Sequence, residues 1–360
     1  MADTIRFYQI DFLRFIAALS VLLFHYTFHG YTYNESEIYY PEIASVLKYG
    51  YFGVHLFFII SGYVILLSIN DRNTFNFIKS RITRLYPAYW FCVTLTFLCI
   101  YFFGQSYFSV NFKDYITNLT MFQQIVGVKH IDGVYWTLTI ELKFYSLITI
   151  YLLINYFKKI NIDYFVAIWL LITLSFNFFQ VEKFTLINLF LNLYGYNSLF
   201  LAGMIIYRIQ KNGNKLLYII ELFLCFISSI LLAEREAVYL SLHHHEVYIS
   251  KTVVYILFII FYIVFYLISQ NKLKVLNKSY FLKLGLLTYP LYLIHQNIGY
   301  MIINHLHQYI NKYLLLILLI CFMLFLAYLI NNKVEKPFSK FLKEKIETLR
   351  DSFKGKLSLK

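Results

Sequence analysis

Long apolar runs, broken at near-regular intervals by short polar segments, dominate the chain. Runs of the roughly 18–24 residues needed to cross a bilayer can be laid at about 9–28, 47–69, 87–104, 136–157, 164–180, 186–207, 216–233, 251–270, 282–304 and 313–331. The pattern predicts an all-α fold, a polytopic transmembrane helical bundle of about ten spans. Residues 1–331 read as one transmembrane domain and 332–360 as a short basic tail. No small-residue cleavage site follows the first span, which also carries Arg14, so it is expected to be retained rather than removed as a signal peptide.

The polar interruptions sort by sign. Arg6, Arg72/Lys79/Arg81/Arg84, Lys158/Lys159, Arg208/Lys211/Lys215, Lys272/Lys274/Lys278 and the Lys-rich stretch from Lys333 alternate with Glu35/Glu37/Glu42, Asp114/Asp132, Glu182 and Glu234/Glu236/Glu246. Basic loops face the cytoplasm, so both termini are expected there. One missed span would invert every later loop, and the regular alternation therefore supports the span count.

Composition narrows the class further. With 60% hydrophobic, 21% aromatic and 14% charged residues, the chain is not a soluble globule. Its net charge of +13 raises nucleic acid as a partner, but no soluble segment carries a basic face with interleaved aromatics. Cys92, Cys99, Cys225 and Cys321 all fall within predicted spans, with neither a disulfide framework nor zinc spacing. Consecutive side chains splay apart, so His243-His244-His245 makes a poor metal site. No metal is expected.

Ionisable residues at membrane depth are costly and usually mark sites. On the first span Arg14, Ala18, Val21 and His25 step by four, three and four residues and share one helical face, with Arg14 and His25 about 16 Å apart. Small Ala17 and Ala18 between them let a neighbouring helix or a slender ligand approach. Either basic residue alone could simply snorkel or cap a helix end, but their joint placement on one stripe favours function. Ser61-Gly62 on the second span fits a packing notch as well as chemistry. Arg81 and Arg84, one turn apart near the cytoplasmic boundary, form a guanidinium fork suited to phosphate, or to anionic lipid headgroups. Glu141 lies inside the fourth span at a depth like that of His25, where it could orient the imidazole or pair with a basic residue between helices. Tyr292 and His295 share a face farther on, although a buried histidine bonded to a backbone carbonyl would be ordinary.

Six motifs occur in order: Arg14-x-x-Ala17-x-x-x-Val21-x-x-x-His25, Phe57-Phe58-x-x-Ser61-Gly62, Arg81-x-x-Arg84-Leu-Tyr-Pro87, Trp136-x-Leu-x-x-Glu141-x-x-Phe144-Tyr145, Tyr292-Leu-Ile-His295 and Glu335-x-Pro337. Together they resemble the bacterial acyltransferase-3 family of integral-membrane O-acyltransferases, over about residues 6–338. The resemblance implies a bacterial inner-membrane enzyme that moves an acyl group, usually acetyl, from acyl-CoA to a hydroxyl of a cell-surface carbohydrate. O-antigen, capsule and exopolysaccharide are all candidate acceptors. It also implies that Arg14 and His25 are essential and that the Arg81/Arg84 fork binds the donor. Some members carry an SGNH-type esterase-like domain after the bundle. This sequence ends at Lys360 without one, so transfer is expected to be completed in the membrane domain or with a separate partner.

A compatible scheme places acyl-CoA phosphates on Arg81 and Arg84, the pantetheine arm along the Arg14–His25 face, and His25, oriented by Glu141, as general base. Ser61, Tyr292 or His295 could serve the oxyanion or the acceptor. An acyl-enzyme intermediate stays open, as does a homo-oligomer or a polysaccharide-assembly partner. The main alternative is a transporter or flippase for a lipid-linked saccharide, against which the chain shows no inverted repeat. A non-catalytic assembly protein of a polysaccharide synthase is the third reading.

Overall fold

A computed structural model describes residues 7–69, 73–104, 107–179, 193–243 and 248–358. Arg6, Arg72, Glu182, Glu246, His244, His245 and the start of the expected sixth span lie outside the described residues, as does the His243 side chain. All regular structure among the described residues is helical: α1 (Tyr8–Thr32), α2 (Pro41–Ile69), α3 (Thr74–Phe103), α4 (Phe112–Leu119), α5 (Gly133–Lys158), α6 (Ile162–Phe179), α7 (Asn197–Asn212), α8 (Leu216–His243), α9 (Lys251–Ser269), α10 (Phe281–Ile294), α11 (Gln296–Leu306), α12 (Lys312–Ile330) and α13 (Lys336–Ser358). Seven helical segments among them are long and apolar enough to cross a membrane, and Ile162–Phe176 and Phe281–Ile294 are shorter apolar helices.

The side chains are distributed as a bilayer solvent requires. Phe102, Leu171, Phe223, Ile263 and Phe325 are exposed, whereas Gln9, Asp11, His55, Arg208, Glu221 and Asn297 are buried. Hydrocarbon solvates the apolar exterior, and helices satisfy their own backbone groups, which lipid cannot do. The protein is an all-α membrane bundle.

Several helix boundaries differ from those read in the sequence, two of them at charged residues named above. Asn73 caps α3, its side-chain oxygen accepting from the Asn76 N–H at 2.9 Å, so the helix begins well before the apolar run and carries Arg81 and Arg84 on its first turns. Basic residues had lowered the hydropathy there, but Phe77 and Leu85 are buried on the same segment. Similarly, α8 continues past residue 233 to His243, which puts Glu234 and Glu236 on a helix instead of in an outer loop.

Two compact units make up the chain, one from residues 1–71 and 137–285, the other from 72–136 and 286–360. In the first, α7 is the central element, buried along Asn197–Ile209 and packed most extensively on α2. Their backbones meet closely: a Cβ added at Gly62 would lie 1.9 Å from the Phe200 carbonyl oxygen, and one at Gly203 would lie 2.0 Å from that of Ile59. Small residues at a helix crossing let main chains approach in this way. Farther along α7, buried Arg208 bonds Asp163 and Glu221, each at 2.7 Å, with its guanidinium 4.1 Å from the centre of the Tyr218 ring.

In the second unit α3 packs on α4, α11 and α13. Buried Asn118 ties down the connection after α4, donating to the carbonyls of Asp114 and Lys129 at 2.9 and 2.8 Å and accepting from the Ile131 N–H. The stretch read as a basic tail is helical where described. It follows a π-helical turn at Asn331–Glu335, and Lys79 of α3 holds Glu347 of α13 at 2.6 Å.

Candidate functional site

The end of α1 is not a regular α-helix. Residues His25–His29 form a π-helical turn, closed by the Gly30 N–H bonding to the His25 carbonyl. Such turns are rare and recur at functional sites. His25, 7% exposed, places Nδ1 2.7 Å from the Val21 carbonyl oxygen. A carbonyl can only accept, so Nδ1 is the donor, and in the neutral tautomer Nε2 is then the basic nitrogen. On the stripe toward the other end of the helix, Arg14 lies 4.0 Å from Asp11, one turn away. Ala17 and Ala18 are buried, and the close approach expected there is made by α2: a Cβ at Gly53 would lie 2.7 Å from the Ala17 carbonyl oxygen.

Ser61 and Glu141, read separately in the sequence, meet in the first unit. Ser61 Oγ donates to Glu141 Oε1 at 3.1 Å, and the Tyr145 hydroxyl donates to the same oxygen. Serine therefore faces a carboxylate while its neighbour Gly62 faces α7, so the pair combines a polar contact with a packing notch. The imidazole of His25 is oriented by its own helix backbone, and the carboxylate of Glu141 by Ser61 and Tyr145.

The sequence reading missed an imidazole–carboxylate pair in this unit. His55 of α2 is fully buried, with Nε2 2.6 Å from Glu236 Oε2 of α8 in close contact but without hydrogen-bond alignment. Tyr51 donates to Glu236 Oε1 at 3.0 Å and Tyr196 donates to it too. The rings of Tyr51, Phe52, Tyr196 and Phe258 surround the imidazole at 5.1–5.8 Å between centroids. The available signal was His55 itself, an ionisable group inside an apolar run. Its partner was hidden because Glu234-Arg235-Glu236 reads as a loop.

The second unit holds the remaining candidates. Arg81 is buried, its Nη2 3.0 Å from Ser80 Oγ and its guanidinium 5.6 Å from the Phe77 ring centre. Arg84, one turn on, is half-buried and electrostatically coupled to Glu335. The Tyr292 hydroxyl donates to the Val134 carbonyl at 3.1 Å. His295 is fully buried at the break between α10 and α11, with Nδ1 on the carbonyls of Tyr292 and Leu291 at 2.9 and 3.2 Å. Both side chains thus bond to main chain in this structure. Next to them, Asp132 accepts from the Asn297 N–H and Asn297 donates to the Ile131 carbonyl. In the loop before Asp132, Gln123 Nε2 donates to His130 Nδ1 at 2.8 Å. Burial pushes the His130 imidazole down to about 4, so it is neutral when it accepts this bond. Among the described residues, no group of three or more His, Cys, Asp or Glu side chains could hold a metal ion.

Apolar helices that turn imidazole, carboxylate and guanidinium groups inward define a membrane protein with a polar interior. The acyltransferase-3 family, described as an acyltransferase domain, matches residues 7–332. The chain belongs to that family and is a membrane acyltransferase, which sets aside the transporter reading. It is also similar to a protein of Acidianus two-tailed virus named "Putative acetyltransferase ORF330", with 29% identity over 265 residues, covering 70% of this chain and 74% of the relative. No solved structure matches the chain.

Proposed function

We propose that the protein transfers an acyl group, in the first instance acetyl, from a coenzyme A thioester to a hydroxyl of a cell-surface carbohydrate, with His25 as general base. The observation that carries this reading is the bond from His25 Nδ1 to the Val21 carbonyl, which fixes the ring and assigns proton transfer to Nε2. As the acceptor oxygen attacks the thioester carbonyl, its proton passes to Nε2. The tetrahedral intermediate then expels the thiolate, which takes that proton. The products are an ester and free CoA thiol, so the histidine returns to its starting state.

Arg81 and Arg84 would hold the donor phosphates, a role supported by their fork-like spacing on α3. Arg14 would meet the donor. Glu141, with Ser61 and Tyr145 bonded to one oxygen, would supply fixed negative charge, and its other oxygen could position the acceptor. Tyr292 and His295 remain candidates for oxyanion or acceptor contacts. The sorting of basic and acidic loops supports an inner-membrane protein with both termini cytoplasmic, the donor entering from that side and His25 toward the outer face.

The test uses purified protein in nanodiscs with acetyl-CoA, reading thiol release with and without added glycosides, alongside mass spectrometry of surface glycans from cells with and without the gene. Acceptor-dependent thiol release that disappears in His25→Ala is expected. Undiminished release by a folded His25→Ala variant would overturn the assignment of the base.

A further inference from the structure

The stripe that ends in His25 does not stop there. Continuing in steps of four, it reaches His29 and Tyr33, and the rings form a ladder: His25 and His29 centroids are 5.1 Å apart, and Tyr33 stacks on His29 at 4.2 Å with planes only 24° apart. Exposure rises along it, from 7% at His25, through 19% for the His29 side chain, to 38% at Tyr33. The ladder therefore leads from the buried base to the surface along the end of α1 and the residue that caps it.

Polar groups lie along the ladder. Glu35 Oε2 is 3.8 Å from His29 Nδ1, held by a chain reversal in which the Glu35 and Ser36 N–H groups both bond to the Gly30 carbonyl. Tyr33 is bonded to the Tyr239 hydroxyl of α8. Tyr31 and Tyr39 stack on each other at 4.8 Å and 23°, and both are exposed.

The geometry points to the surface end of this ladder as the acceptor subsite: the exposed Tyr31–Tyr39 stack is the platform for a pyranose ring, and His29 with Glu35 binds its hydroxyls on the way to His25. Flat aromatic faces cover the C–H face of a sugar, while a carboxylate and an imidazole together offer acceptor and donor to vicinal hydroxyls. A bond from a sugar hydroxyl to a carboxylate is charge-assisted and of the stronger kind. The inference rests on the carbohydrate reading given above and adds to it the residues that would recognise the sugar.

The experiment measures acetyl transfer from acetyl-CoA to a panel of methyl glucopyranoside, galactopyranoside and rhamnopyranoside, with basal thiol release as the second readout. Glu35→Gln is expected to raise the KM for the best glycoside about tenfold or more, since one charge-assisted bond is lost, while the KM for acetyl-CoA stays at its wild-type value. Tyr31→Ala and Tyr39→Ala should raise the same KM, whereas Tyr31→Phe, which keeps the ring face, should not. Variants that elute as wild type yet leave the glycoside KM unchanged would overturn the subsite and leave the carbohydrate reading standing, with the tyrosines then an interfacial aromatic belt. If no glycoside accelerates thiol release by the wild-type protein, the carbohydrate reading and the subsite both fall.

Discussion

Gly62→Ala adds one methyl group at a place where the structure has no room for it. The new carbon would lie 1.9 Å from the Phe200 carbonyl oxygen, 2.7 Å from its carbon and 2.9 Å from its Cα, against an ordinary contact of at least 3.4 Å. Relief requires α2 and α7 to part by about 1.5 Å, and sliding is blocked by the second close approach, Gly203 against Ile59 and Tyr63. Overpacking in a core costs about 1–3 kcal/mol and occasionally more. Here every opposing atom is main chain, so the upper end applies. Activity per folded molecule should fall as well, because the adjacent Ser61 loses its alignment on Glu141. Thermal unfolding followed by size-exclusion chromatography in detergent would show a Tm lower by several degrees and a reduced folded yield. Phe200→Ala in the same chain should not rescue it, since truncating a side chain moves no carbonyl. A Gly62→Ala protein with wild-type Tm, or one restored by Phe200→Ala, would refute the reasoning.

Glu141→Gln keeps the shape and the Ser61 contact but removes the charge, and turnover should drop by roughly 10²-fold; a folding defect with normal activity per folded molecule would make Glu141 a structural tie instead. Arg81→Ala with Arg84→Ala should raise the KM for acetyl-CoA by tens-fold or more with a smaller effect on kcat, two charge-assisted bonds of about 1.5–3 kcal/mol being lost; an unchanged donor KM would leave lipid anchoring as their role. For His130, whose folded value of about 4 lies below the unfolded 6.5, the stability contribution is present above pH 6.5 and is lost as pH falls toward 4. The Tm of His130→Gln should accordingly vary less with pH over that interval, and parallel curves would sink the assignment.

The fold class was legible because apolar run length is dictated by bilayer thickness, a constraint local in sequence. His25, Arg14, Ser61 and Glu141 could be singled out because an ionisable or small polar residue stands out against such a background. Pairings could not be read the same way. Glu141 had a plausible partner in His25 by depth alone, yet its bonds go to Ser61 and to Tyr145 one turn along its own helix, and only packing decides that. The π-helical turn at His25–His29 leaves no mark in hydropathy, and neither does the Asn73 cap that carries Arg81 and Arg84 into a helix. Glu236 was hidden by its charged neighbours, which imitate a loop.

The caged pair His55–Glu236 has a consequence for how such a chain can vary over generations. Removing one member of a buried polar pair leaves the other without its partner, at about 1–3 kcal/mol, whereas replacing both by apolar residues of similar volume is often neutral or better. Tyr51 and Tyr196, which both bond to Glu236 Oε1, join the same linkage, since each would lose its acceptor. Single steps away from this state are therefore blocked, and double steps are open. The two sites should be inherited as one character: lineages that lose a base at 55 should also lose the acid at 236, and a chain caught between the two states should be found only where temperature or a partner supplies the missing stability.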